Sequence, residues 1–220
     1  MTWNAGEWAV RMVSRMNSLS LFQQLPMKKR RLILASGSEY RRELLRRLVC
    51  EFESIAPEID ELSFHAASAS PELLATRLAF EKSAAVFEQH SDAVVIGSDQ
   101  LVDLAGTVLG KPGTIDAAVS QLVTMSGREH RLLTAVCVHS PAGRIEFLNE
   151  TWLQMRALSH HEAVRYVERD QPLDCAGSYR IESLGIALFE NIRTDDATAI
   201  IGLPLIRLSQ VLRELGFAVP

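Results

Sequence analysis

Ser36, Gly37 and Ser38, followed by Arg41 and Arg42, are residue types that grip an anion. The apolar run Leu32-Ile33-Leu34-Ala35 enters this small hydroxyl-rich turn, and a helix opening with the paired arginines leaves it. A helix N-terminus presents unpaired N–H groups and the positive end of its dipole; the serines add hydroxyl donors and the arginines bidentate charge. Such a strand-turn-helix is built to hold phosphate. Taken alone, the segment reads more readily as a surface helix capped by Ser38, its arginines solvated.

Other residues could complete the chemistry. Gly97-Ser98-Asp99-Gln100 places a carboxylate at the end of the buried run Ala93–Gly97, where strand ends in open α/β sheets form ligand crevices; an aspartate capping a turn is the alternative. Gly110-Lys111-Pro112 holds an ammonium in a loop, suited to a phosphate or simply solvated. Lys82 beside Glu81 reads as part of a helix's polar face. Glu58, Asp60 and Glu61 form an acidic loop whose hard oxygens would suit Mg²⁺ on a polyphosphate, or water.

Strand and helix patterns alternate around these residues, predicting an α/β protein with a central mixed, twisted sheet. Expected strands are 31–35, 51–56, 93–97, 128–139, 144–157 and 186–189, with a hairpin over 101–109 turning at Ala105-Gly106. Expected helices are 38–49, 70–89 (opened by Ser70-Pro71-Glu72), 114–125, 159–169 (opened by the capping box Ser159-His160-His161-Glu162) and 204–215. The 220 residues are 47% hydrophobic and carry a net charge of −4, which argues against a general nucleic-acid binder and for a small anion in a local pocket. Cys50, Cys137 and Cys175 lack metal-ligand spacing and read as free thiols of a cytoplasmic protein. The remaining histidines, including His160 and His161, take surface and capping roles. No apolar run reaches bilayer-spanning length. Residues 1–26 are expected to be an extension outside the fold, with Met27 as native start, and 27–220 a single domain.

The ordered set Leu34-Ala35-Ser36-Gly37-Ser38, Arg41-Arg42-Glu43-Leu44-Leu45, Asp60-Glu61, Glu81-Lys82, Gly97-Ser98-Asp99, Gly110-Lys111-Pro112, Ser126-Gly127, Ala176-Gly177-Ser178-Tyr179 and Gly202-Leu203-Pro204 resembles the Maf family of nucleoside triphosphate pyrophosphatases. The resemblance implies two lobes around a nucleotide-binding cleft, and hydrolysis between the α- and β-phosphates. It implies Asp99 as proton acceptor and Glu61, with Asp99, as ligands of Mg²⁺ or Mn²⁺. Ser36, Ser38, Arg41 and Arg42 would bind phosphate, and Lys82 and Lys111 would help neutralise it during catalysis. The expected partner is a small-molecule nucleotide, not a nucleic-acid polymer or membrane; a homodimer is left open.

Within the family, substrate choice lies at three positions. Here they carry Tyr40 after Glu39, Gln100 after Asp99, and Glu182, a trio that resembles the 7-methyl-GTP pyrophosphatase subgroup. N7-methylation makes guanine cationic, so stacking on Tyr40 gains about 0.5 to 2 kcal/mol, while Glu182 can accept from the base N–H groups. The alternatives are a dTTP/UTP-type or broad pyrophosphatase, and a nucleotide-binding division regulator with little turnover.

Overall fold

Leu32–Ala35 forms β1 with all four residues buried, as an apolar run covered on both faces requires. The structure, a computed structural model, describes residues 30–65 and 69–219, so the expected extension at 1–26 lies outside the described residues. Ser38 accepts a hydrogen bond from the Arg41 N–H at 3.5 Å and starts α1 (Glu39–Arg46). β2 is only Glu53–Ser54, and the acidic loop ends in a short α2 (Glu61–His65). Ser70, with proline behind it, caps α3 (Pro71–Phe87). β3 (Val94–Leu104) turns through Ala105 and Gly106, both with positive φ, into β4 (Thr107–Leu109). Thr114 caps α4 (Ile115–Met125); β5 (Glu129–Ser140) and β6 (Gly143–Met155) form a long hairpin; the capping box opens α5 (His160–Asp170). β7 (Phe189–Arg193) and α6 (Leu205–Glu214) follow.

The sheet order is β2-β1-β3-β5-β6-β7, with β4 against β3. β1 runs parallel to β2 and β3, and the other pairs are antiparallel. β3 holds the key irregularity. Along one edge it pairs with β5 over Val95–Asp103, whereas on the other β1 pairs with Val94–Gly97 and β4 with Val102–Leu104. Among the described residues, Ser98–Leu101 therefore has no strand on that side. The sheet is split there.

On one face, Leu74, Ala75, Leu78 and Ala79 of α3 pack on Leu101, Leu133, Ala135 and Cys137. The opposite face carries two separate apolar clusters. One joins α1 and α6 to Leu34, Ile96 and Val136; the other joins α4 and α5 to Val102, Leu132 and Leu153. Between them a polar row crosses the sheet in register, Gln100 to Thr134 to Asn149. The 3₁₀ turn Ala197–Ile201 covers this seam, its Ala199 carbonyl accepting from Gln100 at 2.8 Å and Thr134 at 2.9 Å. Two lobes thus share one sheet.

Two local expectations change. Asp99 is not at a strand end or in a turn but mid-strand, because distant groups satisfy the polar residues flanking it. The expected strand at 186–189 is a 3₁₀ turn, Leu184–Leu188, with β7 beginning at Phe189. Its Ala187 and Leu188 carbonyls accept from the Arg156 side chain and backbone instead of a ladder.

Candidate active site

Asp99 lies beside the split in β3 and is buried. Its Oδ1 accepts from Lys82 Nζ at 2.5 Å, and the same ammonium lies 2.8 Å from Glu61 Oε1. Lys82 is therefore not on a solvated polar face: it is 8% exposed, while its neighbour Glu81 pairs outward with Arg77. Gly97 makes this arrangement fit. A Cβ there would lie 2.3 Å from the Ala79 carbonyl oxygen and 2.7 Å from Ser83 N, so only glycine lets α3 approach β3 closely enough for Lys82 to reach Asp99.

The split gathers further charge. Arg41 turns inward, its Nε donating to the Gly202 carbonyl at 3.0 Å; Ser98 Oγ donates to the same oxygen at 3.0 Å. Gly202 has φ +115° and sits against Arg41, so α1, β3 and the turn before α6 meet at one residue. Burial lowers the Arg41 guanidinium below its ordinary value, against the opposing charges of Asp99 and Glu61. Burial raises the Asp99 carboxyl above the usual range despite Lys82 and Arg41. For Glu61, burial pushes upward but is outweighed by Lys82, Lys111 and Arg41, leaving its pKa lowered. Lys111 is exposed on its loop and close enough to contribute to that field.

The turn after β1 is tightly organised. Ser36 Oγ accepts from the Ser38 N–H at 3.1 Å, and the Ser36 carbonyl accepts from Ser54 Oγ at 2.8 Å. Both Ser36 and Ser38 use their oxygens as acceptors, which leaves their O–H bonds able to donate to an anion. Arg42 does not join Asp99 and Glu61: one position along α1, it turns outward to pair with Glu39. Of the acidic loop, only Glu61 reaches Lys82, whereas the Asp60 carbonyl accepts from Ser63.

Tyr40, 36% exposed on the α1 lobe, lies close enough to Arg180 for its phenol to act on that guanidinium. Arg180 begins the loop that carries the exposed Glu182 from the other lobe. Gln100 is not with Asp99, since successive residues of a strand face opposite ways. Its amide donates to Thr134 Oγ1 and the Ala199 and Ile200 carbonyls, holding the seam between the lobes.

A family profile described as Maf-like protein matches residues 31–215. The chain belongs to the Maf-like proteins. Its relatives include the 7-methyl-GTP pyrophosphatase of Xanthomonas axonopodis pv. citri, 50% identical over 190 residues, covering 86% of this chain and 99% of the relative. That of Bdellovibrio bacteriovorus is 44% identical over 188 residues, covering 86% and 98%. Among solved structures, the Staphylococcus aureus Ham1 protein superposes with a TM-score of 0.46 and 13% identity over 84% of this chain and 100% of that one.

In this Maf-like protein the remaining motifs build the frame. Ser126 Oγ bridges Leu158 N–H and carbonyl, and Ser178, at φ +62°, donates to Gln121 Oε1 at 2.6 Å. Spacing did not reveal Asp196, which is buried and caps two elements: Oδ1 accepts from Thr198 N–H and Oδ2 from Ile206 N–H at 2.7 Å, replacing the side-chain cap Pro204 cannot supply to α6. A cation would find suitable donors at the split. Asp99 Oδ2 is buried with no hydrogen-bond partner, and Glu61 is beside it through Lys82. No cluster of three or more metal-ligating side chains occurs among the described residues. Two carboxylates fit a hard divalent ion that takes its other ligands from phosphate and water.

Proposed function

We propose that the protein hydrolyses 7-methyl-GTP, with water, to 7-methyl-GMP and diphosphate. The observation that carries this reading is the Lys82–Asp99 pair at the sheet split, one carboxylate oxygen held and the other unpartnered, in a chain half identical to named 7-methyl-GTP pyrophosphatases.

The roles follow from the chemistry at each atom. Lys82 fixes Asp99 through Oδ1, so Oδ2 is left to orient the attacking water and take its proton. Burial of Asp99 moves its affinity for a proton toward what a general base near neutral pH needs. Arg41, Lys111 and the first turn of α1 neutralise the triphosphate, with the Ser36 and Ser38 hydroxyls donating to its oxygens. Arg42 reaches the phosphates by releasing Glu39. Glu61 and Asp99 would hold Mg²⁺ or Mn²⁺, which when bound supplies charge neutralisation on the phosphates. Tyr40 stacks on the cationic base and Glu182 accepts from its N1–H and N2–H, a pairing that a pyrimidine leaves unmade.

A nucleotide panel with diphosphate detection tests the reading. The expected outcome is a clear preference for 7-methyl-GTP over GTP, dTTP and UTP, eroded by Glu182→Gln. A pyrimidine preference, or binding without product, would replace it.

A further inference from the structure

Glu182 is exposed on a loop without ladder hydrogen bonds, so other groups must decide where its carboxylate points. Residues 180–185 are closed on themselves, the Ser183 and Gly185 N–H groups both returning to the Arg180 carbonyl at 3.2 and 2.9 Å. Gly185 is required for this closure, since a Cβ there would lie 2.2 Å from that oxygen. Two buried side chains of α5 then hold the loop from beneath. Tyr166 OH accepts the Arg180 N–H at 3.0 Å and donates to Asp170 Oδ2 at 2.7 Å, while Asp170 Oδ1 accepts from Ser183 Oγ at 2.5 Å. Glu182 sits between the two anchored residues.

The same anchor deals with charge. Arg180 Nη2 donates to the Asp170 carbonyl and, at 2.8 Å, to that of Gln171, where α5 ends in a left-handed residue. Its cation is therefore set against the negative end of the α5 dipole. Tyr40 approaches Arg180 from the opposite lobe. A free guanidinium beside Tyr40 would repel a cationic base; one committed to helix carbonyls is partly neutralised.

We propose that Tyr166 and Asp170 are positioning residues for base selection, holding Arg180 and Ser183 so that Glu182 faces the base stacked on Tyr40. The proposal rests on Glu182 reading the base. Tyr166→Phe keeps the ring in the core and removes only the hydroxyl. It is expected to raise KM for 7-methyl-GTP by about 5- to 10-fold, the scale of one lost buried hydrogen bond, with kcat and the KM for UTP within about twofold of wild type. Asp170→Ala behaves alike, whereas Asp170→Asn, which still offers an acceptor to Tyr166 and a polar partner to Ser183, retains most of the preference. Amide hydrogen exchange at Arg180, Ser183 and Gly185 quickens in the first two variants. Unchanged selectivity in Tyr166→Phe, with Glu182→Gln losing it, overturns this proposal and leaves the substrate reading standing. An equal fall in kcat on every nucleotide also overturns it, as a merely structural effect. A wild type without base preference removes both.

Discussion

Gly97→Ala probes the packing that brings Lys82 to Asp99. The added methyl would sit 2.3 Å from the Ala79 carbonyl oxygen and 2.7 Å from Ser83 N, both backbone atoms of α3. Restoring an ordinary contact of about 3.4 Å moves α3 away from β3 by about 1 Å, because no flexible side-chain tip can yield instead. Lys82 rides on that segment, so its 2.5 Å contact with Asp99 stretches to about 3.5 Å, the weak outer edge of hydrogen-bond range. Overpacking alone costs about 1–3 kcal/mol. For a domain of this size that lowers Tm by roughly 2–4 °C per kcal/mol, or about 2–12 °C in all. Misplacing catalytic groups by about 1 Å costs on the order of 10²-fold in turnover. Thermal unfolding and diphosphate release, assayed well below the variant's Tm, read both effects. Gly110→Ala is the stability control, its Cβ meeting nothing within 4 Å. A Gly97→Ala protein with wild-type Tm and turnover would refute the close approach of α3.

Lys82→Met leaves the buried Asp99 without its ammonium, and breaking such a pair costs roughly 3–5 kcal/mol at neutral pH. Since burial already raises the Asp99 pKa, the variant should regain stability relative to wild type as pH falls and the carboxyl protonates; a gap equal at pH 5 and pH 8 in urea unfolding would contradict this. His130 is buried against Tyr179 and its pKa is pushed down to about 4 by burial. Below the ordinary value of about 6.5 the unfolded chain takes up the proton first, so folding stability falls from pH 6.5 to 4 by up to about 3 kcal/mol. His130→Leu should flatten that part of the stability profile, and an unaltered slope would assign the loss to other groups. Chelating divalent cations should abolish diphosphate release, with recovery on adding Mg²⁺ or Mn²⁺; undiminished turnover in excess chelator would remove the cation from the reaction.

What could be read from the sequence follows the range of the interactions involved. The turn at Ser36–Ser38, the cap Ser70 with Pro71 and the box Ser159–Glu162 are local signals, and the helices begin where these residues put them. The split sheet was not visible, because Ser98, Asp99 and Gln100 read as the end of an apolar strand. They continue it only since Gly202, Lys82 and the Ala199 and Ile200 carbonyls satisfy them from far along the chain. Lys82 looked like a surface neighbour of Glu81 for the same reason: its partner is 17 residues away. Gln100 was assigned to substrate choice by resemblance, and in the structure its amide donates to Thr134 and the Ala199 and Ile200 carbonyls at the seam. The opposed directions of Arg41 and Arg42 depend on Gly202 and Glu39, and only the first of these is distant.

The central claim is that Asp99 acts in turnover through the oxygen Lys82 leaves free. Asp99→Asn is nearly isosteric and keeps Arg41, Lys111 and the serine turn in place to hold the triphosphate. Measuring 7-methyl-GTP binding and diphosphate release on the same preparation separates the two roles. The account predicts binding within several-fold of wild type and release lowered by about 10²- to 10⁴-fold. Release close to the wild-type rate would contradict it.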